Sequence, residues 1–516
     1  MTKTTLIGSV SLLALALAQP VFAENDPENS PSAVDIQNIL LRLERLEKEN
    51  KNYKARLREI EAAHSDKLPE VATTSAARST APSQSVAART AVASNSKKST
   101  THDLGGVVRF NPEFSYGLLD QTTNINRKQL YILEQKQQGN IVDNGLYLGG
   151  SVTAFVDYWN SNTDDKFGYL MRHPTANNQL GDTVTEAGIH SAQLSFLANM
   201  GDWVTAYGEM LYDPQQSFGA GTITDLNRNQ IQLRKGYVTL GNLDKSPFYL
   251  SVGKMATPFA LTDTVNPFSA SSSWHAFGGL AYGALLGYSK DGLNISAELV
   301  QGGAQFRAAN VPVNGTSVPS KLNNYVIDAN YTFALGGNGD QAMIGASYER
   351  GSAYCQDFPV VHFNPCAEAN PAWAVYGTLD LGKFEFIGEY IKTTDVWSGT
   401  FNPTSPLDIY PASKVTSFTL GGKYGTRINN KRTDLSLEYS SFISGADVSP
   451  WERQNQWVLG GAYFLSPSVK LFGEGILVQG YTPLNFISGG NLLPGETHSD
   501  QNAKSTGVVL GTTVAF

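Results

Sequence analysis

The amino-acid sequence predicts an all-β protein, a transmembrane antiparallel β-barrel of about sixteen strands, preceded by a short periplasmic α-helical coiled coil. Three observations predict it. Apolar residues recur with period two over residues 145–516, short turns alternate with long polar loops, and the last residues alternate up to a terminal Phe516. Period two marks strands because successive side chains point to opposite faces.

The N-terminus opens with Lys3, an apolar run from Leu6 to Ala18, Pro20 and the small-residue motif Val21-Phe22-Ala23. That order is expected of a secretory signal peptide over residues 1–23, with the mature chain starting near Glu24. The run falls short of the ~20 apolar residues a membrane helix needs. Residues 36–63 read as a coiled coil, with Ile36, Leu43, Asn50 and Leu57 at a positions and Ile39, Leu46, Tyr53 and Ile60 at d positions. Charged e and g positions (Arg42, Glu47, Glu49, Lys54, Arg56, Glu61) can pair between helices, and Asn50 at an a position fixes register. Two readings stand: self-association through Ile36 to Ile60, or one amphipathic helix on another surface. Residues 69–101 are dominated by Ala, Ser, Thr and Val with no apolar period, which predicts a disordered linker.

No later apolar run is long enough for a membrane helix, so membrane insertion must use strands, whose backbone groups pair fully only in a closed barrel. The composition agrees: Gly 49, Tyr 23 and Phe 24 are high while hydrophobic residues make up 41%. Barrels place apolar residues at every second position, so overall hydropathy stays low. A formal charge of −8 argues against nucleic acid as a partner, since that needs clustered Lys and Arg.

From Leu146, Leu148, Gly150, Val152, Ala154, Val156 and Tyr158 onward, one face of each segment is apolar and the other carries residues such as Thr153 and Asp157. Strands are expected to begin near residues 145, 188, 202, 228, 247, 280, 292, 323, 341, 372, 383, 414, 431, 455, 468 and 505. Tight turns at Gly201-Asp202, Asp291-Gly292, Gly337-Asn338-Gly339, Gly382-Lys383, Asn429-Asn430 and Pro467-Ser468 join them in pairs. An even count puts both barrel ends on the short-turn side, which in bacterial barrels is the periplasm. Val508, Leu510, Thr512, Val514 and Phe516 alternate without a break, like the C-terminal signal read by barrel-insertion machinery. For residues 104–144 three readings stay open: a lumen plug, pairing at the periplasmic rim, or extra strands.

The lumen face of the outward-running strands carries Asp157, Glu209, Glu298, Glu349, Glu389, Glu438 and Glu474, with Lys254 on the remaining such strand. Tyr158, Tyr348, Tyr390 and Tyr439 are expected in the outer aromatic girdle. A ring of carboxylates biases a pore toward cations. The alternative is that the acids pair with lumen bases such as Lys254, Lys290, Lys423 and Lys470. The stretch from Lys254 through Phe259 and Phe268 to Trp274 and His275 is rich in aromatics, Pro and Ser, and is the candidate constriction loop. Arg172, His173, Arg228, Arg307, Lys321, Trp397, Trp451 and Arg453 are candidate ligand residues in other loops, or else ordinary surface positions. Cys355 and Cys366 share one loop of an exported chain, where a disulfide is expected rather than a metal site. The seven histidines show no metal spacing or nucleophile motif. His190-Ser191 is the one pair an outer-membrane lipase could use, and a polar lumen position is the preferred reading. No enzyme activity and no cofactor are expected.

Signal peptide, coiled coil, Ala/Ser/Thr linker and barrel, together with the runs Val152 to Asp157, Arg234 to Val238 and Gly253 to Phe259, resemble the LbtU-type siderophore porins. The resemblance covers nearly the whole chain. It implies an outer-membrane receptor importing ferric siderophore for iron acquisition, without a plug domain. A lumen lined by acids would repel a polycarboxylate ferric complex unless the acids are neutralised or bypassed by basic loops. Two further functions remain open from the residues alone: a general or cation-selective diffusion porin, and a structural or adhesive envelope protein.

Overall fold

A computed structural model describes residues 102–104, 108–168, 181–212, 231–301, 322–336, 339–354, 369–483, 488 and 493–516. The expectations for the signal peptide, coiled coil and linker, for Cys355 and Cys366, and for Arg172, His173, Arg228, Arg307 and Lys321 lie outside these residues.

Sixteen strands form the barrel: β3 (Gly145–Ser161), β4 (Thr183–Met200), β5 (Val204–Tyr212), β6 (Ile231–Gly241), β7 (Phe248–Ala256), β8 (Leu280–Lys290), β9 (Leu293–Gln301), β10 (Leu322–Ala334), β11 (Gln341–Glu349), β12 (Ala372–Leu381), β13 (Phe384–Thr393), β14 (Thr416–Ile428), β15 (Lys431–Ile443), β16 (Arg453–Ser466), β17 (Val469–Tyr481) and β18 (Asp500–Ala515). Each pairs antiparallel with its sequence neighbours. The barrel closes where β18 meets β3, from Ser505 opposite Ser161 to Ala515 opposite Ser151. Closure leaves no strand edge facing lipid, which is what a bilayer requires. The expected starts near 188 and 505 fall inside strands that begin at Thr183 and Asp500. Those extensions carry Thr185 and Asn502 on the outside, so the apolar alternation that marks a strand in lipid is absent there.

The tight turns have the backbone their sequences dictate. Asn429 and Asn430 have φ of 50° and 60°, and Asp291 and Gly292 have 51° and 83°. Two successive left-handed residues match the twist of the flanking strands, and Asn, Asp and Gly adopt that conformation most readily.

The outer surface is apolar: Val152, Val156, Leu194, Phe196, Leu420, Leu459 and Leu510 are all exposed. Aromatic side chains pair near the long-loop end, with Trp373 5.5 Å from Tyr390 and Tyr439 4.6 Å from Trp457. Tyr158 and Tyr348 also face outward. The period-two apolar pattern of the sequence is thus the lipid contact of the fold.

Residues 104–144 combine two of the three readings. β1 (His102–Leu104) pairs with β2 (Val108–Phe110), and β2 lies parallel to Leu146–Leu148 of β3. It takes over the edge of β3 just past Phe516, whose backbone exchanges two 2.9 Å hydrogen bonds with Gly150. The chain then enters the lumen as α1 (Pro112–Leu119) and α2 (Lys128–Gln137). Asn111 caps α1 by accepting from the Phe114 amide at 3.1 Å, and Pro112 occupies the first turn, where its missing N–H costs nothing.

Leu118, Leu130, Ile132 and Leu133 from these helices are buried against the inward-facing Tyr147, Leu197, Tyr207, Tyr237, Tyr249 and Leu285. Each such aliphatic side chain contributes about 1.5–3 kcal/mol when taken from water. The resemblance implies a barrel without a plug domain; the structure instead sets this two-helix segment in the short-turn half of the lumen.

Candidate functional site: the barrel lumen

The loop between β7 and β8 folds inward and carries the short helix α3 (Ser272–Phe277). Phe259, Phe268 and His275 of the candidate constriction loop are buried, and Trp274 is partly so. Phe268 stacks on Phe472 at 4.8 Å and meets the His190 ring edge-on at 5.0 Å.

What holds this loop is the set of acids read from the sequence. Glu389 accepts from the Thr262 amide at 3.0 Å. Glu438 accepts from Thr264 Oγ1 at 2.7 Å, the Val265 amide at 3.0 Å and Asn266 Nδ2 at 2.9 Å. Glu474 accepts from the amides of Phe268 and Ser269 at 2.8 and 3.0 Å. These three acids come from β13, β15 and β17, on alternate strands and at similar depth, so the loop is laid across their wall and sealed by its own backbone donors. Unpaired loop amides in a buried setting would be costly, and the carboxylates satisfy them. Ser272 and Ser273 extend the contact to Ser440 and to Ser417 and Thr419.

The other acids have different surroundings. Asp157 accepts from Trp159 Nε1 and the Glu186 amide, both at 3.2 Å. Glu209 accepts from Gln193 and from the Tyr207 hydroxyl, and faces Arg234 at 3.3 Å and Lys235 at 3.6 Å. Glu298 and Glu349 face inward and are buried on either side of Val326.

All seven acids therefore point into the lumen, yet three of them are consumed as loop anchors rather than displayed as a ring. The proposed base partners are engaged elsewhere. Lys254 Nζ donates to the Leu233 carbonyl at 2.9 Å, Lys470 to the Pro267 carbonyl at 2.6 Å, Lys423 pairs with Glu385 at 2.7 Å, and Lys290 is exposed. Among the described residues none of these four lysines forms an ion pair with any of the seven acids.

The plug and the loop are tied to each other. Asn126 Nδ2 donates to the carbonyls of Phe259 and Ala260 at 2.9 and 2.7 Å, the Ile125 amide donates to Asp263 at 3.1 Å, and the Thr264 amide donates to the Thr122 carbonyl at 3.0 Å. Arg127 lies over the Tyr376 ring at 5.1 Å, and Tyr376 in turn donates to Asp328. Lys128 Nζ donates to the carbonyls of Gly117 and Thr123. Burial pulls its pKa down to about 8, with Asp120 opposing and Lys235 adding to the drop. Burial works against the Asp120 carboxylate, but the charges of Lys470 and Lys128 and the Thr122 hydrogen bonds hold it below its ordinary value.

Toward the long-loop end, Trp397, Trp451, Tyr354, Phe442, Phe259 and Phe277 form one apolar cluster. Trp397 and Trp451 are 0% exposed, which corrects their reading as ligand-facing loop residues. Their loops fold back over the lumen, and large aromatic rings gain most by burying in such a cap. Arg453 is half exposed and pairs with Glu452.

Two β-bulges bring in residues that alternation alone does not assign. Between Thr153/Ser191 and Ala154/Ile189 the pairing skips His190, so His190 and Ser191 both face inward, with Nδ1 3.3 Å from Oγ. They line a polar cavity with Tyr116, Asp120, Gln193 and Lys470. The pairing also skips Arg234 between Glu209/Lys235 and Met210/Leu233, which brings Arg234 and Lys235 onto the same carboxylate. A bulge re-aims one side chain without changing composition, so the only sequence signal was the adjacent Arg234-Lys235 pair within a strand.

No family model matches the chain. A UPF0422 protein of Coxiella burnetii is 26% identical over 269 residues, covering 49% of this chain and 53% of the relative. A UPF0422 protein of Legionella pneumophila (strain Paris) is 33% identical over 87 residues, 16% of each chain. The chain thus spans about half the length of the Coxiella relative and a smaller share of the Legionella one. Among solved structures, the anion-selective porin from Comamonas acidovorans is 16% identical with a TM-score of 0.46, covering 72% of this chain and 99% of that one. Pseudomonas putida OprB is 9% identical with a TM-score of 0.43, covering 77% and 99%. With its closed sixteen-strand barrel, apolar outer band and inward-folded loop, this chain is a porin-like β-barrel of the outer membrane.

Proposed function

We propose that the barrel is an outer-membrane porin and receptor that imports ferric siderophore for iron acquisition, with a solute-controlled rather than a permanently open lumen. The observation that carries this reading is the occupied lumen. Residues 111–143 and the loop from Thr257 to Gly279 pack across it and hydrogen-bond to each other through Asn126, Ile125 and Thr264. An inward-folded loop is compatible with a diffusion porin, but a helical segment tied to that loop across the lumen by buried, sequence-specific contacts favours a receptor that admits one cargo. The resemblance to LbtU-type siderophore porins supplies the cargo class. The coiled coil over Ile36 to Ile60 would then assemble copies of the chain on the periplasmic side, and Cys355–Cys366 would brace an outward loop.

The test is uptake of radiolabelled ferric siderophore, against ferric chloride, by iron-starved cells with and without the gene. A deficit confined to the siderophore supports the reading. Equal uptake in cells lacking any other receptor for that siderophore sinks it and leaves a diffusion porin.

A further inference from the structure

The lipid-facing side of the barrel is not uniform at its long-loop end. Tyr348 on β11 pairs with Trp373 on β12, Trp373 with Lys392 on β13, and Lys392 with Thr416 on β14, so these four form one outward row. One step nearer the loops, the Arg350 amide donates to the Tyr325 carbonyl, and the Thr394 amide donates to the Pro371 carbonyl. Lys414 stands two residues from Thr416 on the same outward face, opposite to that of the buried Val415. Arg350 and Lys414 are exposed and Lys392 is half-buried. Three cations therefore stand on four adjacent strands, at the upper edge of the aromatic band in which Tyr348 approaches Tyr325 and Trp373 approaches Tyr390.

The charge is confined to this patch. On β9 the outward positions at this end are Leu299 and Gln301, and on β15 they are Ser441 and Ile443. Arg453 on β16 already pairs with Glu452. By contrast, Arg350 donates only to a neutral carbonyl, that of Asn323. Asp395 and Asp408 are exposed in the loop that follows β13, and among the described residues neither forms an ion pair with Arg350, Lys392 or Lys414. A lone lysine at this depth would simply extend its ammonium to water, but three like charges side by side repel one another unless an anion joins them.

The depth and spacing select the anion. Long loops mark the outer side of bacterial barrels, and aromatic bands sit at headgroup level, so the cations meet the headgroups of the outer leaflet. Arg350 and Lys414 are three strands apart, about 14 Å at ~4.8 Å per strand, with Lys392 between them. One phosphate cannot reach both ends, whereas a disaccharide phosphorylated at each end spans them. Guanidinium and ammonium groups are the usual partners of phosphate oxygens.

We propose that Arg350, Lys392 and Lys414 form an outward-facing docking site for a glycolipid of the outer leaflet whose disaccharide headgroup carries two phosphates. Tyr348 and Trp373 would lie beneath the sugar rings. Such a site faces the membrane and is independent of the solute that crosses the lumen.

The experiment measures the melting temperature of the purified full-length protein in detergent, with EDTA present, as bisphosphoryl lipid A or its monophosphoryl form is added. Wild type should be stabilised saturably by the bisphosphoryl lipid and should bind the monophosphoryl form at least tenfold more weakly. The triple variant Arg350→Gln/Lys392→Gln/Lys414→Gln should melt like wild type without lipid and lose roughly tenfold or more in affinity for the bisphosphoryl lipid. Lys290→Gln/Lys383→Gln, which removes two exposed lysines from the short-turn rim, should bind as wild type does. Equal affinity of wild type for the two lipids, wild-type affinity in the triple variant, or an equal loss in the rim variant overturns the site.

Discussion

At the residue scale, one carboxylate can hold a whole loop. Glu438 accepts three hydrogen bonds from Thr264, Val265 and Asn266, and its replacement by Ala strands those donors in a buried setting. The expected cost is about 3–5 kcal/mol, read as a lower melting temperature together with protease cleavage within residues 257–279. A Glu438→Gln variant keeps one acceptor oxygen and should lose about half as much. Lys128 offers a pH test. Its docked pKa of about 8 lies below its ordinary 10.5, so the docked segment carries the full cost of a buried cation below pH 8. Docking should strengthen as pH rises from 8 toward 10.5, because the docked lysine loses its proton while the free one still holds it. Single-channel recordings should show the closed fraction rising over that window in wild type and staying flat in Lys128→Met.

At the element scale, a single glycine on β7 decides how that strand meets β6. Gly253→Ala would force the new methyl group against the Gly236 carbonyl, and the strand pairing must shift. The expected loss is about 2–4 kcal/mol, read as a lower melting temperature, whereas Gly475→Ala, where a Cβ meets nothing, should leave it unchanged. The paired tyrosines and tryptophans at the long-loop end belong to the same scale. Trp457 rests on Tyr439 and faces outward, so its loss should affect insertion into bilayers more than stability in detergent.

At the scale of the whole molecule, the plug and the inward loop form one closure. Asn126 bridges both through two carbonyls of the loop, and Asn126→Ala removes those two bonds and leaves the weaker set from Arg127, Ile125 and Thr264 to hold plug and loop together. We expect more frequent openings in planar bilayers, and a large, steady conductance when residues 111–143 are deleted. If the deletion conducts no better than wild type, the helices do not close the lumen.

Alternation, turn chemistry and loop length are local, and they determined the barrel. Period two specifies which face meets lipid, Asn429-Asn430 and Asp291-Gly292 specify hairpins, and an even run of such hairpins can close on itself. The same alternation put Asp157, Glu209, Glu298, Glu349, Glu389, Glu438 and Glu474 on the inner face. What those acids meet was decided by contacts between residues far apart in the chain. Thr262 reaches Glu389 and Ser269 reaches Glu474 only because the loop after β7 crosses the lumen, and nothing near either acid in sequence signals it. Trp397 and Trp451 read as loop aromatics and became a buried cap for the same reason. Arg234 escaped because a bulge changes the direction of a side chain without changing the sequence pattern around it. Local pattern chose the wall, and long-range packing chose what fills it.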